Sequence, residues 1–203
     1  VIADHTRPSY YPGTEGRVEA FAASGESEPV ARVDGSGFPV ARHTEAHDKV
    51  EVFAPALSVQ EIAGHGEAYL RAAIAFANDR LYGTLGANIL IHPATQREIG
   101  KRRFEELITE LRYGTIAVNA WTGVGFLTAQ ATWGAFPGHT LDDVQSGIGV
   151  VHNSYMFAKP ERTVVRGPWA PFPRSLAMGE KSLLPKPPWF ITHRRAHKVV
   201  NGL

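Results

Sequence analysis

Cysteine is missing altogether from these 203 residues. Disulfides, thiolate zinc sites and cysteine nucleophiles are therefore excluded within this chain. An excess of charge is missing too: 21 basic residues stand against 20 acidic ones, a formal net charge of +1. That balance leaves no electrostatic footprint for nucleic acid or for an anionic membrane surface as partner. No apolar run approaches the roughly 18 residues of a membrane span, and no signal peptide opens the sequence. A cytoplasmic location is the resulting expectation. Internal repeats and low-complexity segments are also lacking.

What is present has the make-up of a globular protein. Hydrophobic residues form 43% of the sequence, enough to build a core. The length suits one domain, so residues 1–203 are taken as a single domain. Valine stands first, and Asn201-Gly202-Leu203 ends the sequence like an interrupted loop. The expectation is a chain cut at both ends.

Periodicity gives the elements. Tyr10-Tyr11-Pro12-Gly13 is a turn signal, and Val18, Phe21 and Ala22 follow at helical spacing. Asp34-Gly35-Ser36-Gly37 reads as a tight turn, and Val50 to Val59 as a loop entering a buried strand. A helix is predicted over 66–79, stopped by Asn78-Asp79 and Gly83. Leu85 to Ile91 reads as a short buried strand. A second helix is predicted over 95–113, with Thr95 and Glu98 as a capping box and Gly114 as its C-terminal cap. Thr115 to Asn119 is a further strand, and Thr163-Val164-Val165 a last one. Between them, Gly, Pro and aromatic residues predict mostly loop. Prolines from Pro168 to Pro188 predict an extended arm over about 168–203. The alternation of strands and helices predicts an α/β fold, a parallel sheet with helices on its faces.

Three stretches carry a resemblance. Glu51-Val52-Phe53-Ala54-Pro55 resembles the Glu-x-Phe-Gly-Pro motif of aldehyde dehydrogenases, with Ala54 in place of the glycine. Ala77-Asn78-Asp79-Arg80-Leu81-Tyr82-Gly83 resembles their Ala-Asn-Asp-x-x-Tyr-Gly turn, followed by Thr84 where a leucine is usual. Gly114-Thr115-Ile116-Ala117-Val118-Asn119 resembles their Gly-x-x-x-Val-Asn strand. Phe136-Pro137-Gly138 and Ser146-Gly147-Ile148-Gly149 look like a stretched form of their glycine-rich segment. The resemblance spans about residues 49–150, with an interval from Asn119 to Phe136 longer than the family's.

The resemblance implies the second part of an aldehyde dehydrogenase catalytic domain. Such enzymes oxidise an aldehyde to a carboxylic acid with NAD or NADP as cofactor. The family's cysteine nucleophile, its glutamate base and its Rossmann-type cofactor domain all lie upstream of the first motif, so this chain holds no catalytic residue and is expected to be inactive alone. A thiolate suits that chemistry because it needs no strong base near neutral pH. Glu51 matches the glutamate that accepts hydrogen bonds from the nicotinamide ribose hydroxyls, for which a carboxylate offers two acceptor oxygens. Phe53 matches the aromatic beside the nicotinamide. Without its neighbours, Glu51 reads only as a solvated strand-end glutamate. The family pairs through its catalytic domain and C-terminal arm, so a homo-oligomer is expected. Trp169, Phe172, Trp189 and Phe190 would otherwise be exposed. The alternative is a non-catalytic interaction module on the same fold.

Other residues are weighed against simpler roles. Asn119 is expected to bond nearby backbone and fix the next loop, and Asn78 to cap its turn. His43 and His47 sit four apart near Glu45 and Asp48 without a helix to present them, so no metal site is assigned. Gly123-Val124-Gly125 lacks the third glycine of a dinucleotide fingerprint and reads as loop. His193, Arg194, Arg195, His197 and Lys198 read as a solvated face, with a nucleotide phosphate or a partner subunit as the alternative contact.

Overall fold

The computed structural model describes residues 11–31, 37–42, 56–152, 158–170 and 173–179. Its elements in chain order are α1 (Thr14–Ala23), β1 (Ser27–Ala31), β2 (Gly37–Arg42), β3 (Leu57–Val59), α2 (Gly66–Arg80) and β4 (Gly86–Ile89). Next come α3 (Pro93–Ile99), α4 (Lys101–Glu110), β5 (Thr115–Val118), α5 (Gly123–Leu127) and β6 (Trp133–Gly134). β7 (Val150–Val151), β8 (Thr163–Arg166) and α6 (Arg174–Ala177) complete the order. The fold is mixed α/β, with a small parallel sheet and flanking helices. Contacts divide the chain into two compact units, one of residues 1–83 with 102–111 and the other of 84–101 with 112–203.

In the first unit, β1 and β2 pair antiparallel with Ser27 opposite Ala41, and β3 joins β2 in parallel. The sequence reading anticipated none of this pairing. It did place Phe21 correctly on a helix, where it is buried. The expected buried strand ending at Val59 is corrected: Leu57, Ser58 and Val59 are all exposed, on a strand of three residues at the edge of its sheet.

Helix α2 matches its predicted span to within one residue and buries Leu70 and Ile74, one turn apart. Helix α4 buries Phe104, Leu107 and Ile108, three apolar residues at helical spacing. Burying each such side chain contributes about 1.5–3 kcal/mol. The two helices are tied at both ends. Arg103 donates to Glu67 at 2.8 Å, and Asn78 Nδ2 donates to the Glu110 carbonyl at 2.7 Å. Asn78 thus satisfies a carbonyl orphaned at the end of α4, a partner the expected turn cap did not include.

The predicted helix over 95–113 is two helices. Gly100 adopts φ +85°, which ends α3 and lets α4 begin at once. The capping box is also corrected. His92 is the N-cap of α3, its Nδ1 accepting from the Ala94 N–H at 3.1 Å, and Pro93 fills the first turn. Proline fits there because its missing N–H would be unsatisfied anyway, and Thr95 falls inside the helix.

The second unit is built on a three-stranded parallel sheet in the order β4-β5-β8. β5 lies in the centre and all four of its residues are buried, which fits its run of Thr115-Ile116-Ala117-Val118. β6 and β7 form a separate antiparallel pair of two residues each. Gly114 is not a helix cap, since α4 ends at Glu110. A Cβ on Gly114 would lie 1.7 Å from the Gly134 carbonyl oxygen, so only glycine lets these two backbones meet. Within the predicted arm, residues 174–177 form one helical turn, which corrects the expectation of a wholly extended segment there.

Candidate functional site at the carboxyl end of the parallel sheet

In open α/β sheets, ligands bind outside the carboxyl ends of the strands. Here the three strand exits are knotted together by polar contacts, and Asn119 is their centre. It follows β5 with φ +51°, a left-handed backbone that asparagine tolerates better than most residues. Its N–H donates to the Ile89 carbonyl at 2.8 Å. Its side chain closes on Ile91, Oδ1 accepting from the N–H at 2.8 Å and Nδ2 donating to the carbonyl at 2.9 Å. The expected backbone role of Asn119 is present, but its partner lies in the exit of β4 rather than in the next loop.

The other exits join in. The Thr122 N–H donates to Asn88 Oδ1 at 3.1 Å, tying the turn before α5 to β4. The Gly167 N–H donates to the Val118 carbonyl at 2.9 Å, and a Cβ on Gly167 would lie 2.6 Å from the Asn119 carbonyl oxygen. His92 and Trp169 meet edge to face with ring centroids 5.4 Å apart, linking the exits of β4 and β8. Leu90, Trp121 and Trp169 are exposed around this end, Leu90 at 78%. The arrangement offers an exposed apolar and aromatic surface beside one imidazole, and the lack of a side chain at Gly167 lets the exits of β5 and β8 stay close.

Gly123-Val124-Gly125 is helical, the start of α5, and not loop. β5, a turn and α5 do form a strand–turn–helix. The glycines serve packing there: a Cβ on Gly123 would sit 2.3 Å from the Trp121 ring, and one on Gly125 would sit 3.1 Å from Thr115 Cγ2.

A second polar centre gathers the glycine-rich segment. The Thr84 N–H donates to Ser146 Oγ at 2.7 Å, and its carbonyl accepts from the Gly114 N–H at 2.9 Å and the Phe136 N–H at 3.3 Å. His139 Nδ1 lies 2.9 Å from the Gly147 carbonyl, which can only accept, so Nδ1 carries the hydrogen. In the neutral ring Nε2 then accepts from the Thr84 hydroxyl at 3.0 Å. Thr84 and His139 are the residues that sequence reasoning missed as a pair. The signal was there in Thr84 itself, a hydroxyl where the resembled motif has leucine.

Electrostatics concentrate elsewhere. Hydrogen bonds from Arg103 and Arg71 hold the Glu67 carboxyl below its ordinary value of 4.5, and Arg103 is raised in return by Glu67 and Glu106. Burial raises the Tyr113 phenol above its ordinary value of 10.0. An open cavity of about 710 Å³ lies between the 128–132 turn and the approach to β8. No group of three or more metal-binding side chains occurs among the described residues. No helix among them is long and apolar enough to cross a membrane.

Glu51 and Phe53, the expected cofactor contacts, lie outside the described residues, as do His43, His47 and the cluster from His193 to Lys198. The other predicted residues fall in separate places: Asn78 bonds the Glu110 carbonyl in the first unit, while in the second unit Asn119 closes on Ile91 and the glycine-rich segment gathers around Thr84. No known protein family, no curated protein and no solved structure matches this chain.

Proposed function

We propose that this chain is the C-terminal part of the catalytic domain of an aldehyde dehydrogenase whose parent enzyme oxidises an aldehyde to a carboxylic acid with NAD or NADP. The observation that supports it best is the fit between the Gly-x-x-x-Val-Asn motif and β5. The two residues that the motif fixes at its ends are the two with a physical constraint. Gly114 has no room for a side chain, and Asn119 combines a left-handed backbone with an amide that closes on Ile91. The motif's strand is also the central, fully buried one.

In this reading the carboxyl end of the sheet faces the reacting groups, and Glu51 and Phe53 hold the nicotinamide half of the cofactor. The nucleophile comes from upstream, because no cysteine occurs in this chain. The enzyme is a cytoplasmic homo-oligomer that buries the arm containing Trp169 against another subunit. Purified residues 1–203, given NAD or NADP with aliphatic or aromatic aldehydes, should form no reduced cofactor. The parent enzyme should form it. Turnover by the isolated chain would overturn the assignment of the nucleophile, and an inactive parent would overturn the activity itself. Light scattering tests the assembly, and a strictly monomeric parent would count against the buried arm.

A further inference from the structure

We draw no further inference here: the strongest candidate, the open cavity between the 128–132 turn and the approach to β8, holds an Arg162 already engaged by Glu161 at 3.9 Å and by the Phe136 ring at 4.9 Å, and Thr132 and Thr163 hydroxyls already bonded to each other at 2.9 Å, so nothing in it selects a ligand.

Discussion

The Thr84 hydroxyl lies 3.0 Å from His139 Nε2, joining positions 55 residues apart. Together with the Ser146 Oγ bond to the Thr84 N–H, it fastens both ends of the 139–146 stretch to one residue before β4. A leucine at position 84 could keep the backbone bonds but not this one. Thr84, which follows the Tyr-Gly of the motif where the resembled pattern has leucine, therefore has a partner in His139.

Thr84→Val keeps the shape and removes the hydroxyl. It should cost about 1 kcal/mol in urea unfolding, because it leaves the half-buried His139 Nε2 without its donor. Adding His139→Gln should bring clearly less than the sum of the two single losses, since both act on one bond. Strictly additive losses would mean that the contact contributes nothing to stability.

Gly114→Ala should be among the most damaging small substitutions in the second unit. Its Cβ would have to displace the Gly134 carbonyl from 1.7 Å, and the segments of β5 and β6 must part. A loss of at least about 3 kcal/mol is expected. Gly100→Ala is the control. It meets nothing within 4 Å, but its φ of +85° with ψ of 142° suits glycine far better than alanine, so it should lose about 1–3 kcal/mol of backbone strain energy and no packing, less than Gly114→Ala. Equal melting temperatures for the two variants would contradict the packing argument.

Asn119→Ala removes two side-chain bonds and puts alanine in a left-handed backbone, a loss of about 3 kcal/mol. Asn119→Asp separates the parts. It still accepts from the Ile91 N–H, but near neutral pH its carboxylate faces the Ile91 carbonyl. Protonation supplies an O–H donor, and the facing carbonyl raises the folded-state pKa, so the deficit of the Asp variant relative to the natural protein should shrink as pH falls toward about 4 and stay at its smallest below that. A deficit independent of pH would remove the Ile91 carbonyl from the account.

Glu67 provides a pH dependence of known sign. Its carboxyl is held below the ordinary 4.5, first by the Arg103 hydrogen bond and then by Arg71. The unfolded chain therefore binds this proton first as pH falls. The contribution is complete above the ordinary value and disappears as pH falls through the lowered one. Carboxyl NMR titration should find Glu67 below its ordinary value, and Arg103→Gln should move it upward. The side chain is exposed, so the effect on stability is small. No movement in the variant would show that Arg103 does not hold the carboxylate in solution.

The three strands of the second unit's parallel sheet and both longer helical regions were legible because their signals are local. The burial expected for the strand over 85–91 is corrected: β4 lies at the sheet's edge and none of its four residues is buried. Apolar spacing marked α2 and α4, and a short run bounded by Gly114 marked β5. The break at Gly100 escaped because helical spacing continues across it, and only its φ of +85° interrupts the helix. The β1–β2 pairing escaped because Ser27 to Ala31 carries a proline and a glutamate and shows little alternation. At the candidate site, Asn119 was legible as a backbone binder. Its choice of Ile91 was not, because that depends on register between β4 and β5. Neither was the pairing of Thr84 with His139, for which a contact across 55 positions has no local signature.

The central claim is that this chain supplies the cofactor clamp of an aldehyde dehydrogenase, and Glu51 tests it most directly. The measurement is steady-state kinetics with varied NAD and NADP on the parent enzyme carrying Glu51→Gln, beside a thermal melt. Glutamine keeps the shape but loses a charged acceptor, worth about 1.5–3 kcal/mol, or about ten- to a hundredfold in cofactor affinity or rate. The account predicts that loss with an unchanged melting temperature. Unchanged cofactor kinetics with a lowered melting temperature, or a parent that oxidises no aldehyde, would contradict it and leave a non-catalytic module on the same fold.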